Sequence, residues 1–475
     1  MHATHLAALL DGVEPGVPET LDLVAGFDDA LVPGFARLTG EQRTALSALA
    51  GAVASTPLAD RVREAVEKVN AGSIADEHLT GLAGARTALL GAVHDALSSR
   101  LDSALGRSRD GWAPAAGAPD GSVPGPVPDN LLAGSRAWLR ELAIAGWHGV
   151  DHDVVALAAR TVETLLKAPG LRRLAVLLDG LAAELGASCP VGTTGRVPVR
   201  RWADLWSRAL LLTHAAGRPD GGPAVAVSGR LLVLGVDVHE HGTAVQMQVH
   251  GVFEPVGADP PRLVRTSVSA AKVDTIVGPA VWRLLLRSCP VLLGALAERR
   301  VLEVTDLPLL PGGDLVWRDE QARPGEPVDP FATARLRLAE ALAPPVPPLE
   351  RHPVRIAEPV LLEGYQISVR DDGELVLDLG GAGLPLDVAR LPTCGPLTPE
   401  LVRASSACLG LVRWEDGRWL LQPFAVQVSG KRGITQAHTG DWALGPTDPK
   451  VAKAEARAGD AVAVLRERAG RLLRR

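Results

Sequence analysis

Gly229-Arg-Leu-Leu-Val-Leu-Gly-Val-Asp-Val-His239 and, after a Glu240-His241-Gly242 break, Thr243-Ala-Val-Gln-Met-Gln-Val-His-Gly-Val-Phe253 mark the point where the chain changes character. Upstream, apolar residues recur every three to four positions; here they alternate. Leu232, Leu234, Val236 and Val238 share one face of the first stretch, and Val245, Met247 and Val249 stand opposite Gln246, Gln248 and His250 in the second. Period-two alternation specifies extended strands, so the pair is predicted to form an antiparallel hairpin with one wet face. The chain reads as an α+β multidomain protein. Its N-terminal half is helical, and its C-terminal half holds antiparallel β structure and a terminal amphipathic helix.

Working back towards the N-terminus, residues 131–217 form a second helical block. It comprises Leu131–Ala145, a helix capped by Asp151, a Leu-rich helix after Pro169, and Trp202–Ala216 with Trp202, Trp206, Leu210 and Thr213 on one face. Residues 107–130 are rich in Pro, Gly, Ala and Asp without periodicity and read as a linker. Residues 1–106 form the first helical domain. Thr39-Gly-Glu-Gln42 is a capping-box pattern, Thr56-Pro57 offers an N-cap followed by a first-turn proline, and Leu82, Ala85, Leu89, Val93 and Leu97 line a long helix reaching Leu105. Fourteen acidic and seven basic residues give this domain a net charge of −7.

Working forward, residues 223–342 complete an α+β domain. Arg262–Ser269 is a third strand, short helices open at Pro279 and beyond Pro290, and Val301–Thr305 and Asp314–Arg318 are further strands. Residues 343–353, with Pro344-Pro-Val-Pro-Pro348, form a stiff spacer. Residues 354–475 form a β-hairpin domain with a C-terminal helix. One hairpin turns at Asp371-Asp372-Gly373, pairing Arg370 with Glu374, Val369 with Leu375 and Ile367 with Leu377. The other turns at Asp416-Gly417, pairing Glu415 with Arg418 and Trp414 with Trp419, which sets Val412, Trp414, Trp419 and Leu421 on one face. An amphipathic helix from Lys450 to Arg474 follows, and 449–475 carries eight basic and three acidic groups, a net of +5. Its narrow, Ala-rich seam suits packing on its own domain or on a partner helix.

Across 475 residues, 47% are hydrophobic and 22% charged, the profile of a folded protein. A net charge of −6 argues against a general nucleic-acid binder, which needs a basic field. The arginine bias accompanies abundant Ala, Gly and Pro and is attributed to genome composition. No apolar run reaches the ~18 residues of a membrane span, and the start Met1-His2-Ala3-Thr4-His5 lacks a signal-peptide pattern. A cytoplasmic location is expected, with Cys189, Cys289, Cys394 and Cys408 reduced and mostly buried. With only five Phe and one Tyr, the large contacts fall to ten Trp. The Trp202/Trp206 and Trp414/Trp419 pairs are the expected packing anchors.

Two helical stretches, Leu82-Ala-Gly-Ala-Arg-Thr-Ala-Leu-Leu-Gly-Ala-Val-His-Asp-Ala-Leu97 and Ser135-Arg-Ala-Trp-Leu-Arg-Glu-Leu142, resemble actinobacterial accessory proteins encoded with MoxR-type AAA+ ATPases and von Willebrand factor A (VWA) proteins. The second stretch is similar to helical parts of SWIM zinc-finger proteins. A SWIM finger needs Cys-x-Cys and a later Cys-x-His; both are missing here, so no zinc ligand carries over. The resemblance covers about a third of the chain. It implies an accessory role beside an AAA+ ATPase or a VWA-type protein in bacterial defence or stress response.

Among motifs that carry chemistry, Asp237, His239 and His241 would share a face of an extended strand, with His250 on the returning one. Zinc would accept such a set. The opposing reading is a solvated hairpin tip whose turn swings His241 away. In Trp147-His148-Gly-Val-Asp151-His152-Asp153, Asp151 reads as a helix cap more readily than as a metal ligand. Ser429-Gly-Lys431-Arg432-Gly433 fails the P-loop spacing, and Gly381-Ala-Gly383 runs into Leu384-Pro385 rather than a helix, which excludes a dinucleotide fingerprint. The preferred expectation is a non-enzymatic adaptor or scaffold with protein partners and no cofactor. The alternatives are a metal-dependent hydrolase using Asp237, His239, His241 and His250, and a small-molecule sensor binding between the β units.

Overall fold

The capping box at Thr39–Gln42 closes on itself. Thr39 Oγ1 accepts the Gln42 N–H at 3.3 Å, and Gln42 Oε1 accepts the Thr39 N–H at 2.9 Å. The computed structural model of the protein describes residues 4–10, 12, 14–112, 129–215, 224–273, 275–351, 354–415, 417–431 and 433–457. Its helical half comprises α1 (Thr4–Leu10), α2 (Val17–Ala30), α3 (Gly40–Ala52), α4 (Ala59–Asn70), α5 (Asp76–Leu105), α6 (Asp129–Ala145), α7 (His152–Leu166), α8 (Arg172–Ser188) and α9 (Val199–Ala215). Asp151 caps α7, accepting the Val154 N–H at 2.9 Å. Thr56-Pro57 does not open a helix: Thr56 Oγ1 accepts the Leu58 N–H, and α4 begins one turn later, at Ala59.

Helices of 1–106 and of 131–217 share one apolar core, in which Phe27 and Leu82 meet Leu139, Trp147, Trp202 and Trp206. Trp147 and Trp202 pack edge to face at 5.7 Å, and Trp206 donates its indole N–H to the Leu139 carbonyl at 2.8 Å. Burying such rings stabilises by ~1.5–3 kcal/mol each, provided the polar edge finds a partner. Inside this bundle lies a fully buried arginine. Arg86 donates to both carboxylate oxygens of Asp28 (2.6 and 2.9 Å) and to Asp204 (2.6 Å), tying α5 to α2 and α9.

The next layer is a five-stranded antiparallel sheet of β1 (Val225–Glu240), β2 (Ala244–Pro255), β3 (Arg262–Ala271), β4 (Arg300–Leu309) and β5 (Ala322–Pro327), in the order β3-β2-β1-β4-β5. Helices α10 (Trp282–Leu286) and α11 (Pro290–Glu298) precede β4, and α12 (Pro330–Arg337) follows β5. The predicted single face of β1 is broken by a bulge. Val233 pairs with Gly251 and Gly235 with His250, leaving Leu234 as the extra residue. Leu232 and Leu234 therefore point one way, while Val236 and Val238 point to the opposite side, where α10 and α11 pack. The predicted strand Asp314–Arg318 makes only isolated bridges; the edge position belongs to β5, whose Pro324 and Pro327 are tolerated there.

The terminal module holds β6 (Ile356–Glu363), β7 (Gln366–Val369), β8 (Leu375–Asp378), β9 (Gly383–Pro385), α13 (Pro399–Arg403), β10 (Ala407–Glu415), β11 (Arg418–Gly430) and β12 (Gly433–His438). These form a four-stranded sheet, β12-β11-β10-β6, and a three-stranded one, β7-β8-β9. Both hairpins have the predicted registers, Val369 opposite Leu375 and Trp414 opposite Trp419, the two indoles edge to face at 5.1 Å. Residues 449–457 are helical, with Val451 against the core of the first sheet; the remainder of the predicted Lys450–Arg474 helix lies outside the described residues.

The layers stack in a fixed order. One face of the four-stranded sheet (Leu361, Leu409, Ala425) meets Leu232 and Leu234 of the first sheet; the other (Val412, Trp414, Trp419, Leu421) meets α1 and α5 through Leu9, Leu97 and Leu101. Residues 107–112, read as the start of the linker, run between these layers. Ala343 donates its N–H to the Ser108 carbonyl at 2.9 Å and accepts the Asp110 N–H at 3.0 Å, and Arg107 and Arg109 both reach Glu358. Residues 113–128 lie outside the described residues.

Candidate functional site

The bulge at Leu234 decides the fate of the hairpin polar residues. Beyond it, Gly235, Asp237 and His239 face the terminal module instead of solvent. A Cβ on Gly235 would stand 2.6 Å from Phe424, so the sheets touch there only because the position has no side chain. Asp237 accepts from Gln422 Nε2 at 2.7 Å, lies 3.5 Å from Arg413 and contacts His239 Nε2 at 2.9 Å. Burial alone would raise its carboxyl, but His239, Gln422 and Arg413 outweigh burial and hold it at about 2. The structure thus brings Asp237 and His239 together. It does not bring in His241, which is exposed at the turn where its N–H bonds the Ala244 carbonyl.

His250 is buried across from Gly235, its ring 5.3 Å from Phe424. Burial, reinforced by the Arg265 charge, pushes it down to about 4, so the ring is neutral at pH 7. Its Nε2 has no hydrogen-bond partner among the described residues. Beside it is a layer of ion pairs: Arg109 with Asp102 (2.7 Å) and Glu358 (2.7 Å), Arg107 with Glu358 (3.4 Å), and Arg265 with Asp314 (2.6 Å). Among the described residues, no three His, Cys, Asp or Glu side chains are grouped to hold a metal ion.

The remaining sequence candidates have structural settings. His148 lies in a short 3-10 turn ahead of α7, apart from His152, and both are exposed. Lys431 sits in the tight turn between β11 and β12. Gly380 and Gly381 form the turn after β8, their N–H groups bonded to Asp378. Cys289, Cys394 and Cys408 are buried and Cys189 half-buried, all as free thiols.

Two concavities flank the Trp414–Trp419 hairpin. One, of about 500 Å³, opens between α1, α5 and β9, lined by Leu9, Leu97, Arg100 and Trp419. The other, of about 530 Å³, lies where the N-terminus of α9, the residues Glu350, Val354 and Arg355, and the hairpin converge. Its wall carries Arg200, Arg201, Arg208 and Arg355 together with Asp204, Glu350 and Glu415. Each acid already has an arginine from outside the cleft: Arg86 for Asp204, Arg173 for Glu350 and Arg390 for Glu415. Arg201 is committed to Glu184 at 2.5 Å. Among the described residues, the side chains of Arg200 and Arg355 have no ion-pair or hydrogen-bond partner, and both are exposed. Burial, with Arg173 and Arg355 nearby, lowers the Arg208 pKa against the pull of Glu350 and Asp204. Exposed Pro198 and half-buried Val199 supply apolar surface beside these charges, whereas Trp414 and Val354, which also line the cleft, are buried.

Sequence reasoning passed over this cleft, because its residues come from four segments separated by some 60 to 180 positions and share no spacing. The only local signal is Arg200-Arg201 at the start of a helix whose preceding residue, Pro198, has no side-chain acceptor. No helix among the described residues is long and apolar enough to cross a membrane. Compared with known proteins, the chain matches no protein-family model, no curated protein and no solved structure.

Proposed function

We propose that the protein is a cytoplasmic, non-enzymatic adaptor whose recognition site is the cleft between the helical bundle and the terminal β module. The observation that carries this reading is the pair of exposed cations, Arg200 and Arg355, which line one concavity built from four distant segments and form no ion pair or hydrogen bond through their side chains among the described residues. Most other charged groups near the hairpin are bonded to one another, as Asp237 is to Gln422, His239 and Arg413. Its proposed setting, drawn from the resemblance at Leu82–Leu97 and Ser135–Leu142, is a MoxR-type AAA+ ATPase or VWA-type partner in a bacterial defence or stress system. Immobilised full-length protein should retain the neighbouring ATPase, and the double variant Arg200→Glu/Arg355→Glu should retain much less. No retention with or without nucleotide, or equal retention by both proteins, would remove the reading.

The sensor alternative has one observation in its favour: a cleft of about 530 Å³ falls in the size range of small-molecule sites. An adaptor that responds to a ligand would combine the two.

A further inference from the structure

We propose that the cleft takes a small phosphate-bearing molecule, its anionic group held by Arg200 and Arg355 and its organic part laid against Pro198 and Val199. This rests on reading the cleft as the recognition site.

The chemistry follows from which charges are spoken for. The three acids on the wall cannot compete for an incoming anion's partners, because each is already bonded to an arginine behind the wall. That leaves Arg200 from the start of α9 and Arg355 from the segment entering β6. Two guanidinium forks from separate segments suit a group with several anionic oxygens, since each fork binds two oxygens in its plane. Arg208, half-buried nearby with its charge disfavoured by burial, would gain from an added negative charge. The apolar surface of Pro198 and Val199 gives the ligand a second, uncharged contact, which bare inorganic anions cannot use. An extended acidic peptide would need a run of cations along a groove; here they converge in one concavity.

The test uses the full chain in titration calorimetry and thermal melts with ADP, inorganic pyrophosphate, adenosine and hexaglutamate, against sodium chloride at matched ionic strength. ADP and pyrophosphate should bind saturably and raise the melting temperature by at least about 2 °C at saturation. ADP should bind more tightly than pyrophosphate. Arg200→Gln and Arg355→Gln, both at exposed positions, should melt as the wild type does without ligand, yet bind each phosphate compound at least about tenfold more weakly. Val199→Ser should weaken ADP more than pyrophosphate. The inference is overturned if neither phosphate compound binds, if sodium chloride has the same effect, or if the arginine variants bind unchanged. Binding of hexaglutamate alone overturns it in favour of an acidic peptide. ATPase retention is scored separately, so a protein that retains the ATPase but binds no phosphate compound sinks the ligand inference and leaves the adaptor reading intact.

Discussion

Arg86 offers the sharpest test of how the bundle is held together. It is fully buried, and three of its N–H groups are taken by Asp28 and Asp204, at 2.6, 2.9 and 2.6 Å. Burial pushes the Asp28 carboxyl up to about 6 even against the pull of Arg86. In Arg86→Ala, two carboxylates lose the cation both are bonded to while staying out of water. Removing one member of a buried network typically costs ~3–5 kcal/mol, because the remaining charge is uncompensated. We expect that loss at pH 8, read from urea unfolding. The loss should shrink as pH falls. Asp28 in the variant fold takes a proton more readily than in the unfolded chain, and each extra proton bound by the fold returns ~1.4 kcal/mol per pH unit. The deficit at pH 5.5 should therefore be smaller by ~1–3 kcal/mol. The triple variant Arg86→Met/Asp28→Leu/Asp204→Leu, which replaces the whole network with apolar volume, should recover most of the stability. A loss below about 1 kcal/mol at pH 8, or the same loss at both pH values, would show that the network does not bear the charge as described.

Other expectations follow from particular contacts. Gly235→Ala should cost ~1–3 kcal/mol in urea melts, because its Cβ would meet Phe424 at 2.6 Å; pairing it with Phe424→Leu should recover part of that loss if the clash is its cause. A double-mutant cycle on Trp414 and Trp419 should give a coupling of ~0.5–1.5 kcal/mol for the edge-to-face pair; additive single effects would deny the interaction. His250 and His438 are buried with folded values of about 4 and about 3, below the 6.5 of a free imidazole. The unfolded chain therefore binds their protons first. Their stabilisation is complete above pH 6.5 and declines towards those lower values by up to ~1.4 kcal/mol per pH unit each, so His438→Phe should flatten the acid limb of a stability profile. Metal analysis of purified protein should find no stoichiometric zinc, manganese or iron, since Asp237 is occupied by Gln422 and Arg413; about one ion per chain, lost in His239→Ala, would revive the hydrolase alternative.

Much of the fold was legible because local rules and the tertiary structure agree. The capping box at Thr39, the cap at Asp151 and the two hairpin registers each depend on residues within a few positions of one another, and packing only had to accept them. The Trp pairs were legible for a related reason: helical spacing puts Trp202 and Trp206 on one face, and a two-residue turn puts Trp414 opposite Trp419. What failed was strict periodicity at β1. One extra residue at Leu234 exchanges the faces of everything after it, and Gly235 is the only hint of the sheet that packs on top.

That single irregularity also explains why the hairpin histidines look like a metal site in sequence and are not arranged as one. Without the bulge, Asp237 and His239 would turn to the side on which α10 and α11 pack. With it, they face β10 and β11, and Asp237 is satisfied by side chains from another part of the chain. A carboxylate that already accepts from Gln422 and His239 and sits beside Arg413 has little capacity left for a cation, and a neutral His250 beside Arg265 is poorly placed to attract one. The chemistry still open to solvent lies one layer away, where the exposed side chains of Arg200 and Arg355 form no ion pair among the described residues. Neither belongs to a sequence motif, because no contiguous stretch of the chain builds the cleft they share. In a layered protein of this kind, the binding surface forms where layers join, and its residues become neighbours only once the bundle and the terminal module have packed.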